Sequence, residues 1–232
     1  MCQKDCIHMS PISNTDRLAE IPLFLGMSGA DLDDVLATTK FGFSRYASGK
    51  TVAAEDSLCT RLLILAEGSL SVESRAYDNG YVLTERTDAC DILQPECFFG
   101  LTQRYTRTFT ALTECCVASL EKADVMRLTE KHVIFRLNLM NNICTSAQKA
   151  ARTPWRGKPQ DIRGKIFRFI EVRCMRPAGG KLLRITMERL AHEIGESRLN
   201  VSRELNALHA AGMVRLRRGE IQVPALEHLI GK

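Results

Sequence analysis

From Asp124 to Arg152 the chain contains neither glycine nor proline. Apolar residues recur there at three- and four-residue steps. Leu128, Phe135, Leu139 and Ile143 form one stripe; Leu137, Met140, Cys144, Ala147 and Ala151 form another. Read as one helix, these 29 residues span roughly 43 Å at 1.5 Å per residue. Such a helix either lies on a core or serves as a spine paired with a second chain, and its length favours the spine. It also divides the sequence into two parts of different character.

The part before it reads as short helices followed by many short strands. Asp16 is a candidate cap for a helix over 17–20, and Ser28 or Asp31 for one carrying Leu32, Val35 and Leu36. Apolar runs then alternate with turn residues: Phe41 to Tyr46, Leu62 to Ala66, Leu70 to Tyr77, Tyr81 to Arg86, Phe109 to Leu112 and Val117 to Leu120. Asp78-Asn79-Gly80 between two such runs is a hairpin signal. Spacing of this kind predicts an antiparallel barrel or jelly roll.

The part after it opens with Thr153-Pro154-Trp155-Arg156-Gly157-Lys158-Pro159, a helix breaker and a domain boundary. Ile162, Ile166, Phe169 and Ile170 make a helical stripe. A short strand, Leu182 to Ile185, precedes two helices around 187–194 and 197–210, and a hairpin covers 214–223. Charge separates along the same line. Residues 1–156 carry 17 basic and 19 acidic side chains, and residues 157–232 carry 15 and 8, so the overall +5 divides into −2 and +7. A basic terminal third predicts a polyanionic partner.

The segment from Thr186 to Leu205 has the layout of a helix-turn-helix. Leu190 and Ile194 face a core, Ala191 is small where a second helix must approach, and Gly195 suits a left-handed turn. Ser197 can cap the second helix, whose buried stripe is Val201, Leu205 and Leu208. Its opposite face carries Leu199, Ser202, Arg203 and Asn206, with Arg198 at the N-terminal edge, as a helix entering a major groove requires. Arg203 can bind guanine bidentately, and Arg215, Arg217 and Arg218 on the hairpin suit phosphate.

The order of barrel, long helix and winged helix-turn-helix resembles the cyclic-AMP receptor protein/fumarate-nitrate-reduction regulator (CRP/FNR) family of bacterial transcription factors, over about residues 16–230. Gly195-Glu196-Ser197-Arg198-Leu199-Asn200-Val201-Ser202-Arg203-Glu204-Leu205 is similar to the family's G-x-S-R-x-x-V-S-R-x-L, and Ile21-Pro22-Leu23-Phe24 and Ile162-Arg163-Gly164-Lys165-Ile166 match further landmarks. The resemblance implies an α+β chain in three parts: a cyclic-nucleotide-binding-like β-roll (jelly roll) with short N-terminal helices over 1–123, a long dimerisation helix and hinge over 124–156, and a winged helix-turn-helix over 157–232. It implies a homodimer on a two-fold operator in double-stranded DNA, contact with RNA polymerase, and a cytoplasmic location. The DNA-contacting set is then Ser197, Arg198, Leu199, Ser202, Arg203 and Asn206 with Arg215, Arg217 and Arg218.

Two departures from the family pattern matter. Leu199 stands where the family places a glutamate that reads cytosine, so it can meet a thymine methyl instead, and the half-site differs from TGTGA or TTGAT. The phosphate cassette is incomplete: Gly100 and the pair Arg107-Thr108 remain, but Leu101 replaces the ribose-binding glutamate and the loop is short. Gly100, Leu101, Thr102, Arg107 and Thr108 mark the expected effector pocket, with cyclic AMP disfavoured.

Haem or another small-molecule effector stays open. Among the histidines only His132, read as an exposed helix residue, stands near the barrel. An iron–sulfur cluster needs four converging thiolates, which Cys2-x-x-x-Cys6 does not announce, and zinc spacing is missing. The adjacent Cys115 and Cys116 fall on a strand and should face opposite ways. No Walker loop, dinucleotide fingerprint, HExxH or G-x-S-x-G motif suggests an enzyme. No apolar run approaches the roughly 20 residues that cross a bilayer, and the N-terminus has no apolar core of a secretory signal. The nine cysteines are then expected as thiols in a reducing compartment. The competing reading is a ligand-binding regulatory module that acts on a protein partner without DNA.

Overall fold

The computed structural model describes residues 14–152, 157 and 159–229. Cys2, Cys6, His8 and most of the breaker at 153–159 lie outside them. The chain forms two compact units. One comprises residues up to Leu70 with Thr87–Lys149; the other comprises Ser71–Arg86 with the residues from Ala150 onward.

In the first unit, α1 (Asn14–Ala19) and α2 (Gly29–Thr38) precede strands β1 (Gly42–Tyr46), β2 (Thr51–Ala53) and β3 (Arg61–Glu67). Strands β4 (Ser69–Arg75) and β5 (Tyr81–Asp88) begin and end in this unit, and β6 (Asp91–Leu93), β7 (Thr108–Ala111) and β8 (Cys115–Glu121) complete it. One antiparallel sheet has the order β1-β8-β3-β6. Opposite faces of β3 and β8 are both buried, so these strands read as near-continuous apolar runs. For the same reason Cys115 and Cys116 are both buried, whereas strand alternation alone put one of them outside. β2 pairs with β7. Both β2 and β6 are three-residue strands, too short to show a period in the sequence.

The Gly- and Pro-free segment is two helices, α3 (Lys122–Lys131) and α4 (Val133–Arg152). The expected single helix breaks at His132, whose backbone is extended at φ −113, ψ 105. His132 is buried, contrary to its reading as an exposed residue. Its Nε2 lies 3.0 Å from Asp34 Oδ2 and its Nδ1 3.5 Å from Asp31 Oδ1. Lys131 Nζ meets Asp34 Oδ1 at 2.6 Å. These partners come from α2, about a hundred residues earlier, so no local pattern announces the break. Asn138 ties α4 down further by donating to the carbonyls of Leu23 and Leu25 at 3.1 and 2.9 Å. Phe135 packs on Phe24 with ring centroids 5.3 Å apart.

One face of α4 is thus used, with Phe135 and Leu139 buried. The other carries Val133, Leu137, Met140, Cys144, Ala147 and Ala151 at alternating steps of four and three, and every one of them is exposed. Leu137 and Met140 leave 48% and 54% of their surface open. Among the described residues no helix is long and apolar enough to cross a membrane.

In the second unit, α5 (Ile162–Glu171), β9 (Lys181–Ile185), α6 (Met187–Ile194), α7 (Arg198–Ala210), β10 (Arg215–Arg217) and β11 (Glu220–Val223) follow in chain order. Ile166, Phe169, Ile170, Leu190, Val201, Leu205, Leu208, Val214, Ile221 and Val223 form its core. Its sheet runs β10-β11-β9-β5-β4, because the β4–β5 hairpin joins this unit. The domain boundary drawn at 156/157 leaves that hairpin with the roll, whereas Ser71–Arg86 cluster with the C-terminal residues. The hairpin turn places Asn79 at φ 57, a left-handed conformation that asparagine tolerates.

The clasp between α2 and His132 has a pH signature. The Ser28 hydroxyl and then His132 hold the Asp31 carboxyl below its ordinary 3.8, and Lys131 and then His132 do the same for Asp34. A depressed folded-state pKa gives stability that is present at neutral pH and lost as the pH falls through and below 3.8. The urea midpoint of the full chain should therefore fall more steeply below pH 4 than that of Asp34→Asn. Parallel acid profiles would contradict the clasp.

Candidate nucleic-acid interface

The motif is assembled by local caps. Thr186 Oγ1 accepts from Arg189 N at 3.1 Å and starts α6. Gly195 at φ 68, ψ 43 ends it in the left-handed region, where a Cβ is unfavourable, and Glu196 N donates to the Ala191 carbonyl at 2.9 Å. Two residues on, Ser197 Oγ accepts from Asn200 N at 3.2 Å and starts α7. Ala191 is buried in the core that it shares with Val201, Leu205 and Leu208 of α7. Caps at this spacing fix the angle of α7 to α6 before any partner arrives.

That packing buries Val201, Leu205 and Leu208 and turns the other side of α7 to solvent. Arg198, Leu199, Arg203 and Asn206 are exposed, and Ser202 is half-buried. Leu199 leaves 67% of its surface open in the first turn, so its methyl groups face solvent at the N-terminal end of the helix front. Arg198 Nε is 3.0 Å from Glu188 Oε1, but both side chains are largely exposed. Such a pair is worth about 0–1 kcal/mol, so Arg198 is easily released to a stronger anion.

Arg215 and Arg217 alternate with Leu216 along β10, so both point to one exposed face, and Arg218 follows in the turn. Among the described residues the side chains of Arg203, Arg215, Arg217 and Arg218 form no ion pair. An apolar back, a polar front and unneutralised arginines on helix and wing together suit a duplex: the helix for base edges, the wing for phosphate. Eight of the nine DNA-contacting residues expected from sequence are exposed, with Ser197 among them serving as the helix cap, and Ser202 is half-buried.

The roll holds a separate cavity of about 220 Å³ lined by Ser44, Tyr46, Thr60, Arg61, Tyr105 and Ser119 among others. None of the five expected pocket residues lines it. Gly100, Leu101 and Thr102 are exposed on a loop, while Arg107 and Thr108 are half-buried. Thr108 Oγ1 accepts from Glu55 N at 3.1 Å. Sequence reading missed the lining because it comes from alternate positions of strands far apart in the chain. The one local signal is a small hydroxyl residue recurring among apolar neighbours, as at Ser44 and Ser119.

Two buried thiols of the roll, Cys59 and Cys97, are poor nucleophiles. Burial pushes the Cys59 thiol up and the Cys97 thiol up to about 11, so both stay protonated at neutral pH. Burial likewise raises the Tyr105 phenol. Both ring nitrogens of His132 face carboxylates, so its ring does not stand free to ligate a haem iron. Among the described residues no group of three or more His, Cys, Asp or Glu converges as a metal site.

Two family models match the chain, and the first of them runs through the β4–β5 hairpin. The cyclic nucleotide-binding domain matches residues 43–132, and the Crp-like helix-turn-helix domain matches residues 165–231. No curated protein matches the chain. Among solved structures, CprK complexed with OCPA is similar at 14% identity and a TM-score of 0.50, over 85% of this chain and 92% of that one. The Catabolite Activator Protein of Thermus thermophilus is similar at 20% identity and a TM-score of 0.46, over 90% and 96%. The c-di-GMP responsive regulator CLP of Xanthomonas campestris is similar at 17% and 0.46, over 85% and 99%. At these identities the likeness is one of fold. With a cyclic nucleotide-binding domain followed by a Crp-like helix-turn-helix in one chain, the protein belongs to the CRP/FNR family of DNA-binding transcription regulators.

Proposed function

We propose that the protein acts as a homodimer on a two-fold operator, with α7 in the major groove and the β10–β11 wing on the flanking phosphates. The observation that carries this reading is the exposed front of α7 with its unpaired Arg203, set beside the arginines of β10. Arg203 reads a base, Leu199 packs on a thymine methyl, and Ser202 and Asn206 complete the base-facing set. Ser197, Arg198, Arg215, Arg217 and Arg218 serve the backbone.

The second chain is supported by α4. Six exposed residues from Val133 to Ala151, spaced four and three apart, form a seam suited to the same seam of another copy. Two chains would place two recognition helices about one helical turn apart. An effector at the roll is a small molecule other than cyclic AMP, as Leu101 and the short loop argue. The regulator works in the cytoplasm and through RNA polymerase, and catalysis plays no part in it.

Arg203→Ala should weaken binding to the operator by about 1–3 kcal/mol while leaving random duplex nearly unaffected. Arg217→Ala should weaken both similarly and reduce the salt slope by about one. Equal losses on both duplexes for Arg203→Ala would remove its base-reading role. For the seam, sedimentation of the full chain at micromolar concentration should give a dimer, and Leu137→Asp with Met140→Asp a folded monomer. A monomeric wild type would refute the seam.

A further inference from the structure

The β4–β5 hairpin is built into the DNA-binding unit more deeply than a neighbour would be. β5 lies antiparallel beside β9 over five paired positions, from Tyr81↔Ile185 to Glu85↔Lys181. Leu83 is buried in the same core as Leu190 and Val201. Glu85 is a buried carboxylate with three partners in this unit. It accepts from Met175 N at 2.6 Å and Arg176 N at 3.3 Å, and it pairs with Lys181 Nζ at 3.2 Å. The Glu85 and Lys181 side chains keep only 3% and 2% of their surface. Without the hairpin, Lys181 would be a buried, unpaired charge and β9 an open edge.

A polar chain leaves the hairpin and returns to it. Asp78 Oδ2 meets an Arg189 nitrogen at 2.7 Å, and the same nitrogen meets Glu193 Oε1 at 2.7 Å. The other oxygen of Glu193 meets Arg173 at 3.1 Å, and Arg173 Nε donates to the Tyr81 hydroxyl at 2.7 Å. Arg173 also lies over the rings of Phe169 at 3.9 Å and Tyr81 at 5.2 Å. A Cβ on Gly80 would stand 3.1 Å from Arg189 Nε, so the hairpin tip is in close contact with that side chain. Gly80 N, and then Arg189, hold the Asp78 carboxyl below its usual range.

Arg189 and Glu193 belong to α6, whose Leu190 and Ala191 share a buried core with Val201, Leu205 and Leu208 of α7. We propose that the hairpin is a positioning element of the helix-turn-helix: Glu85 anchors it to β9, and Asp78 and Tyr81 set where α6 stands, and through it the recognition helix, without themselves facing DNA. They lie more than a hundred residues before the motif, and none of their contacts named above involves residues 197–206. The proposal rests on reading α6–turn–α7 as DNA-binding. Base reading needs side chains placed to a fraction of an ångström, whereas attraction to phosphates does not. A displaced α6 therefore costs specificity before it costs general affinity.

The test uses the full chain, a random-sequence duplex, and the duplex that wild type enriches from a random pool. Asp78→Ala with Tyr81→Phe should lower affinity for the enriched duplex about tenfold, since one charged pair and one charge-assisted hydrogen bond are lost. Affinity for random duplex should stay within about twofold and the salt slope should not change. Amide exchange over 187–194 should quicken while that over 115–121 in the roll holds. The swap Asp78→Arg with Arg189→Asp should restore affinity lost in Asp78→Arg alone. Unchanged exchange in α6, equal loss on both duplexes, or a swap that restores nothing would overturn the proposal. A wild type with no affinity for any duplex would instead overturn the DNA-binding reading, and the exchange of α6 would still judge the positioning role. Glu85→Gln, which keeps one acceptor oxygen for the backbone N–H groups of Met175 and Arg176 and removes the charge facing Lys181, gives a second variant with quickened exchange expected in β9.

Discussion

The contact between α6 and α7 governs the second unit. It is built from a buried alanine at position 191, a left-handed glycine at 195 and a capping hydroxyl at 197. Each is a local requirement with its own physical cause: close approach, positive φ, and an orphan N–H to satisfy. Once they are met, the polar side of α7 has no direction left but outward, and Leu199 and Arg203 are exposed because Val201 and Leu205 are not. The same contact carries forces the other way, since whatever holds α6 also holds α7.

Charge follows this arrangement. The terminal third carries the net +7, yet many of its cations are internally committed. Lys165 pairs with Glu196, Arg168 with Glu171, Arg173 with Glu193, and Lys181 with Glu85. Arg203, Arg215, Arg217 and Arg218 are left on the helix front and the wing. Net charge names the class of partner, and the pattern of pairing shows which side chains remain to meet it.

Much of this was legible in the sequence where the signal is local. The caps at Ser28 and Ser197, the turn at Gly195, the α5 stripe of Ile166, Phe169 and Ile170, and the strand runs of the roll all follow from short-range chemistry. The exposed seam of α4 was legible for the same reason, as a period along one helix. What escaped is non-local. His132 breaks the long helix through carboxylates supplied by α2, and nothing within the helix itself contains a breaker. Glu85 looks like an ordinary polar position on a strand until Lys181 and the backbone of Met175 close around it. The cavity in the roll collects single residues from several strands, so no spacing rule gathers Tyr105 with Ser44 and Ser119. Gly100 and Leu101, the part of the family pattern visible in the sequence, lie on a loop that leaves both in the open.

The central claim is that two copies of α7 read a two-fold site. It is tested most directly by letting the full chain select from a pool of random duplexes and sequencing what it retains. The account predicts an inverted repeat whose half-sites are centred about one helical turn apart. Retention without any sequence preference, or an asymmetric single site, would contradict it.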